Sequence, residues 1–594
     1  LTTCRQRTST AEICVRIMNM KHYLLLSLFA ASALTLQAQI TETATEAVKN
    51  MGVGWNLSNT LDANAASGTN IDLASYWGQQ DLNSEIYWGE HKTKPELMTM
   101  MKNAGFGAIR VPVTWFNHMD KDGNVDKAWM KRVHEVVDYV IDNNMYCILN
   151  VHHDTGAGSD SQKHWIQADE QVYEKVKDKY EKLWKQIAEE FKDYGKELLF
   201  EGYNEMLDPL NSWCFASYAA SGGYNATVAT SAYNAINKYA QSFVNTVRAT
   251  GGNNESRNLI VNTYSAANGS GTWNSHLTDP LTKLNLPQDK TKGHIIFEVH
   301  AYPAITNENG TPKTSTVVKK EIDDMIKTLN DKLVSKGAPV IIGEWESSNV
   351  DKYGETDYDL HKTEFFQFVD YFVQQTKAAG MGTFSWSSLT DDLYRTQPAF
   401  HQADFAERIA KAYHGSSFVG EYPEMEAASE IVAFEGSKKI GWGDPVNIES
   451  AIFACFDENS TLTINYIQDA DKYDDIQFYY GDWSNKMNFI YNGKSYFADF
   501  QPSQFLGSKG GSSHETVFSF DKDTFANLKK KGLVLQGNEI TIKKIVIKSQ
   551  TSDIDNIVMP SDDNDVIYNI LGVRVTEMKP GNIYIRNGKK VIVR

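Results

Sequence analysis

The sequence predicts an α/β protein: a (β/α)8 TIM barrel followed by a C-terminal antiparallel β-sandwich and a short β-rich tail. Three observations lead there. Between about residue 45 and residue 418, a short β-rich apolar run is followed repeatedly by a longer stretch of helical period. Nearly every one of those runs ends in a polar or aromatic residue. Beyond "HGSSFVGEYPEMEAAS" the helical period disappears, and short turn-bounded β-rich runs take over. At 594 residues the chain exceeds what one core organises, so several domains are expected.

In chain order the runs are "MGVGWNL", "FGAIRVPVTW", "MYCILNVHH", "LLFEGYNE", "NLIVNTYS", "HIIFEVHAY", "PVIIGEWE" and "MGTFSWSS". Between them lie helical patterns such as "WMKRVHEVVDYVIDNN" and "EKVKDKYEKLWKQIAEEF". Eight strands alternating with helices are the number a closed parallel barrel requires. A doubly wound open sheet is disfavoured, because no Gly-x-Gly-x-x-Gly turn follows the first run. In a barrel the strand ends converge on one rim, where functional groups gather. Here that rim would hold Arg110 and Trp115, His152 and His153, Asn204 and Glu205, His300 and Tyr302, Glu344 and Trp345, and Trp386.

Glu205 ends the fourth run and Glu344 the seventh, on opposite sides of an eight-stranded mouth. Two opposed carboxylates are the equipment for hydrolysing a glycosidic bond, one protonated and the other ionised. Glu344, near Arg110 and within reach of Tyr302, is expected to be the anion. Glu205, in apolar surroundings beside that anion, is expected to hold its proton to higher pH. Glu201, below the rim, is read as a structural residue that neutralises or orients its neighbours.

These residues amount to a resemblance. "GWNLSNTLDA", "IRVPVTWFNHMD", "NVHHD", "FEGYNE", "HAY" and "GEWE" resemble glycoside hydrolase family 5, of clan A, motif by motif across the whole barrel. The likeness is closest to subfamily four, rich in endo-1,4-β-glucanases and xyloglucanases. The resemblance implies a retaining mechanism with Glu205 as acid/base and Glu344 as nucleophile. Arg110, His152, Asn204, His300, Tyr302 and Trp386 match the family's remaining active-site positions. Asn204 would hydrogen-bond the sugar 2-hydroxyl, and Trp386 would form a stacking platform. No cofactor and no metal are implied. Two departures stand out: Met206 where the family usually has proline, and Ser387-Ser388 where many relatives have Asp-Asn. Both predict altered subsite detail with the chemistry intact.

Other features have plainer readings. His152, His153 and Asp154 point in alternating directions along a strand end and cannot all ligate one ion. "DKDGNVD", Asp120 to Asp126, lacks the later glutamate of a calcium loop and reads as a polar turn. Trp115, His118 and Trp165 would either line sugar subsites or pack in the core. The formal net charge of -17 argues against a nucleic-acid partner. Past the expected start of the chain Cys147, Cys214 and Cys455 remain, an odd number scattered along the sequence, which argues against a disulfide framework or a cysteine metal cluster.

The expected domain organisation runs as follows. Residues 1–17 read as an extension upstream of the true start, and residues 18–38 as a secretory signal peptide whose apolar run is too short to span a bilayer. Residues 43–418 form the catalytic barrel. Residues 428–550 form the β-sandwich, either a carbohydrate-binding module with Tyr479, Tyr480 and Trp483 as stacking residues or a packing domain. Residues 565–594 resemble the C-terminal sorting tail of the type IX secretion system. The expected protein is therefore a secreted or cell-surface endo-β-1,4-glucanase, periplasmic if the tail is vestigial. Its partner is a β-glucan polysaccharide, with no membrane insertion and a monomeric state. Xyloglucan, mixed-linkage glucan, xylan and mannan are rival substrates. A non-catalytic glycan-binding surface protein is the rival of another class, and the intact Asn204, Glu205 and Glu344 argue against it.

Overall fold

The computed structural model describes residues 40–64, 82–156, 165–347, 356–386, 389–391, 393–424, 430–441 and 443–549, with four short strands beyond residue 566. Residues 1–17, the expected signal peptide, Ser387-Ser388 and most of the tail lie outside the described residues. The chain divides into two units, Leu1–Glu424 and Met425–Arg594.

In the first unit, eight strands form a closed barrel: β1 (Val53–Asn56), β2 (Ala108–Val111), β3 (Tyr146–Asn150), β4 (Leu198–Glu201), β5 (Leu259–Asn262), β6 (Ile295–Ala301), β7 (Val340–Trp345) and β8 (Gly382–Ser385). Each falls inside one of the runs named above. Neighbours pair in parallel, and β1 closes on β8 through Val53↔Thr383, Gly54↔Phe384 and Trp55↔Ser385.

Some of the helices between strands start where side chains satisfy free backbone donors. Asp126 accepts from the amides of Ala128 and Trp129 ahead of Lys127–Asp142, and Asp169 from Gln171 and Val172 ahead of Glu170–Glu190. The first of these buries Trp129, Val133, Val136, Val137 and Val140 at helical spacing against the outside of the barrel. Each side chain so buried contributes about 1.5–3 kcal/mol. Asp120 closes the preceding turn by accepting from the amides of Asp122 and Asn124, so "DKDGNVD" is a polar turn running into a helix cap.

The barrel interior is layered by the period of two along each strand. Ile148, Leu199, Ile260, Ile296, Ile341 and Phe384 form one apolar layer, sealed by Val48 and Met51 of the helix Ala44–Met51. Two residues further along, the same inward faces carry Arg110, Asn150, Glu201, Asn262 and Glu298, joined by Asn56, all fully buried. A polar floor therefore lies directly beneath the rim.

The second unit holds two antiparallel sheets. Its strands are β9 (Glu430–Ile440), β10 (Val446–Ile448), β11 (Thr461–Gln468), β12 (Asp475–Tyr480), β13 (Asn488–Tyr491), β14 (Lys494–Phe497), β15 (Asp499–Phe500), β16 (Ser513–Ser519), β17 (Leu533–Asn538) and β18 (Ile540–Lys548). One sheet has the order β10-β17-β12-β15, the other β14-β13-β16-β11-β18-β9. Phe478 of β12 meets Phe489 of β13 at 4.9 Å and Phe518 of β16 at 5.0 Å between ring centroids. Four short strands, Ile567–Asn569, Arg574–Val575, Ile583–Arg586 and Lys589–Ile592, form a further small antiparallel sheet.

Two expectations for this unit fail. "ESAIFACF", which by composition is one of the short β-rich runs expected to form strands beyond residue 428, is not a strand: Ser450–Ala454 is helical. Helical structure also returns at Lys522–Lys531, capped by the Asp521 side chain accepting from the Thr524 amide. The two helices pack on each other, with the rings of Phe453 and Phe525 6.0 Å apart. That packing overrides the β-favouring composition of the first segment.

Candidate active site

Arg110 is the centre of the site. Fully buried on β2, it engages every N–H of its guanidinium. Nε donates to Glu201 Oε2 at 2.7 Å and Nη2 to Glu201 Oε1 at 2.8 Å. Nη2 also donates to Asn204 Oδ1 at 2.8 Å, and Nη1 to Asn56 Oδ1 at 3.0 Å and Glu344 Oε1 at 2.7 Å. Burial opposes the charge of Arg110, but Glu201, Glu298 and Glu344 outweigh it and hold the guanidinium protonated well above its ordinary range. Burial likewise disfavours ionisation of Glu201, and Arg110 more than compensates, keeping that carboxyl below its usual value. Glu201 thus orients Arg110, as read from its place below the rim.

Glu344 stands at the end of β7 with a donor on each oxygen: Arg110 on Oε1, and the Tyr302 hydroxyl on Oε2 at 2.6 Å. Its side chain is 5% exposed, and His152 Nε2 lies 4.0 Å from Oε1. Glu205 faces it from beyond β4. One oxygen from each carboxylate and a ring nitrogen of His300 all lie within 4.8 Å of one another. His300 Nδ1–H donates to Glu205 Oε1 at 2.8 Å and lies 3.4 Å from Glu344 Oε2. Burial disfavours the imidazolium, yet Glu344, Glu205 and Glu298 raise its pKa to about 10. Asn268 fixes the strand end by donating to the His300 carbonyl at 2.7 Å.

The surroundings of Glu205 correct the expectation of an apolar setting. Its side chain is 22% exposed and its nearest partner is an imidazole. Leu198, Phe200 and Tyr203 of the same run point outward into the core around the barrel, and Leu199 lies in the apolar layer beneath the polar floor, so they do not enclose it. Asn204, His152 and Trp386 complete the rim. Asn204 is held by Arg110, and its Nδ2 lies 3.4 Å from His152 Nε2. The His152 ring stacks beside Trp386 at 5.8 Å and 9°.

The eight residues expected at the site therefore come together, seven at the rim and Arg110 in the floor directly beneath it. Trp115, His118 and Trp165 are packing residues. Trp115 is fully buried and donates to the Asn150 carbonyl, His118 stacks on Trp129 at 3.6 Å, and Trp165 donates to Asp154 at 2.6 Å. Asp154 also accepts from the amides of Trp115 and Phe116, while burial raises its pKa to about 6. Its two oxygens are thus taken up by the amides of Trp115 and Phe116 and the Trp165 indole. His152 and His153 instead gather with Asp62, with donor atoms within 4.8 Å. The donor atoms of Glu205, His300 and Glu344 are engaged by one another and by Arg110 and Tyr302, an arrangement for hydrogen bonding.

Sequence reasoning missed two features. Glu298 lies two residues before His300 on the same inward face of β6, a spacing visible in "FEVH". On the side of Glu205, a groove of about 260 Å³ is lined by Glu205, Trp213, Ser265, Asn268, Trp273 and Tyr302. Its tryptophans sit in loops after β4 and β5, where no periodic signal marks them.

The chain is similar to known proteins in sequence and in fold. The cellulase family (glycosyl hydrolase family 5) matches residues 65–391. Endoglucanase B of Neocallimastix patriciarum is 32% identical over 370 residues, 61% of this chain and 68% of its own length. Endoglucanase A of Clostridium longisporum is 35% identical over 322 residues, 53% of this chain and 55% of its own. The chain thus spans between about half and two thirds of these relatives. Among solved structures, a GH5-4 broad specificity endoglucanase from an uncultured bacterium is 62% identical with a TM-score of 0.60, covering 64% of this chain and 99% of that one. A family 5 enzyme from Prevotella bryantii B14, in complex with a xyloglucan tetradecasaccharide, is 38% identical with a TM-score of 0.53, covering 64% of this chain and 100% of that one. A family 5 lichenase from Caldicellulosiruptor sp. F32, in complex with cellotetraose, is 30% identical with a TM-score of 0.52, covering 64% and 98%. With its closed barrel and opposed glutamates, the chain belongs to the cellulase family, glycosyl hydrolase family 5, and is a glycoside hydrolase.

Proposed function

We propose that the chain is an endo-β-1,4-glucanase of the subfamily-four kind, acting by double displacement with Glu344 as nucleophile and Glu205 as acid/base. The observation that carries this reading is the unequal setting of two carboxylates whose oxygens lie within 4.8 Å. Glu344 has a donor on each oxygen and is nearly buried, which suits an oriented anion. Glu205 is more open and lies where a leaving oxygen can reach it. Retaining enzymes place their carboxyl groups about 5–5.5 Å apart, and inverting ones about 6.5–9.5 Å, so the close approach favours retention.

In the first step Glu344 attacks the anomeric carbon while Glu205 gives its proton to the departing oxygen, leaving a glycosyl ester on Glu344. In the second step Glu205 takes a proton from water as that water attacks the same carbon. The ester breaks and the sugar leaves with its original configuration. Arg110 stabilises the returning Glu344 carboxylate, and Trp386 offers its face to the sugar held at the rim.

Two exposed tryptophans on the side of Glu205, Trp213 at 43% and Trp273 at 58%, favour a polymeric leaving group and hence cleavage within a chain. A broad β-glucan range, including xyloglucan and mixed-linkage glucan, fits the relatives described above. The ring contacts of Phe478 with Phe489 and Phe518 support reading the second unit as a sandwich. Its exposed Trp483, 5.4 Å from Tyr479, supports carbohydrate binding there. Export through residues 18–38, with residues 565–594 as a sorting tail, completes the reading. N-terminal sequencing of the exported protein tests the first part.

The central experiment is Glu344→Gln on soluble β-glucan. Turnover should fall at least ~10³-fold with binding retained. Hydrolysis at the parent rate would remove Glu344 from its role, and an α-configured first product by NMR would exclude retention.

A further inference from the structure

We propose that Glu298 is a positioning residue that acts through His300 to set the pH range over which Glu205 serves as the acid. The proposal rests on the roles given above to Glu205 and Glu344, and it concerns a residue outside that pair.

Glu298 is fully buried in the polar floor, on the same inward face of β6 as His300. Its Oε1 lies 3.3 Å from Arg110 Nε and 3.5 Å from His300 Nε2. Every N–H of Arg110 is already donated to Glu201, Asn204, Asn56 or Glu344, so Glu298 receives none of them. Both Glu298 oxygens and His300 Nε2 lack a hydrogen-bond partner within the buried floor. A carboxyl and an imidazole nitrogen facing each other in that state need a proton between them.

The barrel is shaped around this carboxyl. On β7 the residue beside it is Gly343, where an added Cβ would lie 1.5 Å from Glu298 Oε1. The pairing of β6 with β7 shifts register between Val299 and His300, at the level where Gly343 leads into Glu344. A glycine and a register shift thus make room for Glu298 directly beneath the nucleophile.

The groups facing Glu298 are Arg110 from β2, Glu201 from β4, neutral Asn262 from β5, His300 from its own strand and Glu344 from β7. Beyond His300 lies Glu205, at 2.8 Å from the other ring nitrogen. Burial and the negative Glu201 raise the pKa of Glu298 to about 7, against the pull of Arg110 and His300. In acid Glu298 is neutral and has little influence. Above neutrality it is an anion behind His300. A negative charge there makes Glu205 keep its proton to higher pH. The effect falls on one limb of the pH profile alone.

The test compares kcat/KM against pH for the full chain and its Glu298→Gln and Glu298→Asp variants on soluble β-glucan. For Glu298→Gln the alkaline midpoint should move down by about one pH unit while the acid midpoint stays. Glu298→Asp, which restores the charge, should move it back. On a dinitrophenyl β-cellobioside, whose leaving group needs no proton, the alkaline limbs of parent and Glu298→Gln should coincide. Superimposed profiles on glucan, or equal movement of both limbs, would overturn the proposal. Should Glu298→Gln not fold, the unaltered protein labelled with 13C at glutamate Cδ decides. A fully buried carboxyl titrating near neutrality supports the proposal, and none overturns it. The Glu344→Gln control is read separately. Its activity bears on the catalytic pair and leaves the Glu298 result to stand or fall by itself.

Discussion

The Tyr302 hydroxyl donates to Glu344 Oε2 at 2.6 Å, on the oxygen that Arg110 does not hold. The two donors fix the plane of the carboxylate and leave its charge balanced between both oxygens. When Glu344 attacks, one oxygen becomes part of an ester and loses most of its negative charge. The donors therefore matter most as the carboxylate departs again.

Tyr302→Phe removes one hydrogen bond to a charged group, worth about 1.5–3 kcal/mol. Because that bond regains its strength as the carboxylate departs from the ester, kcat should fall ~10- to 100-fold, KM should fall with it where ester breakdown limits turnover, and the melting temperature should change little. Steady-state kinetics on soluble glucan check this. A KM effect without a kcat effect would assign Tyr302 to substrate binding alone.

Arg110→Met should be more damaging to the fold than to any one interaction. It would leave Glu201, Glu298 and Glu344 facing one another with their shared cation gone. Removing one partner of a buried ion pair costs about 3–5 kcal/mol, because an uncompensated charge remains. Chemical denaturation should show that loss. A double variant with Glu201→Gln should recover part of it, and no recovery would argue against charge as the cause.

The same floor predicts how stability depends on pH. His300 binds its proton more tightly in the fold, up to about 10, than the ordinary histidine value of 6.5. Its contribution is full below 6.5 and is lost as pH rises through about 10. Glu298, raised from 4.5 to about 7, acts in the same sense over a lower window, its contribution lost as pH rises through about 7. Glu201, held down by Arg110 against burial, acts oppositely and loses its contribution in acid. The melting temperature should therefore decline from neutral to alkaline pH, and less steeply in His300→Asn. An identical slope in that variant would sink the assignment.

Much of this was legible in the sequence, for a physical reason. A barrel strand repeats every two residues and its helix every 3.6, so runs such as "IIFEVHAY" and "WMKRVHEVVDYVIDNN" announce their elements locally. The meeting of Glu205 and Glu344 follows from strand number alone once closure is assumed. What surrounds each of them does not. The partner of Glu205 is His300, 95 residues away, and the room for Glu298 comes from Gly343 on the next strand. In the second unit, Ser450–Ala454 carries a strand-like composition but becomes a helix because Phe453 packs against Phe525. Such non-local contacts leave no trace in a short window.

Trp213 and Trp273 make the last prediction, on the side of the cleft that receives the leaving group. Both are large, apolar and exposed, at 43% and 58%, in loops with left-handed backbone at Cys214 (φ 67°) and Ser265 (φ 53°). Such conformations cost energy in non-glycine residues and persist where the surrounding structure enforces them. A tryptophan face stacked on a pyranose contributes about 0.5–1.5 kcal/mol beyond its buried area, or ~2- to 12-fold in binding. Trp273→Ala should therefore raise KM on soluble glucan by about that factor while leaving the melting temperature unchanged. On an aryl β-cellobioside, whose leaving group does not extend along the groove, the same variant should match the parent. Equal losses on both substrates would place the effect of Trp273 on Glu205 itself, and equal activity on both would remove this groove from the substrate's path.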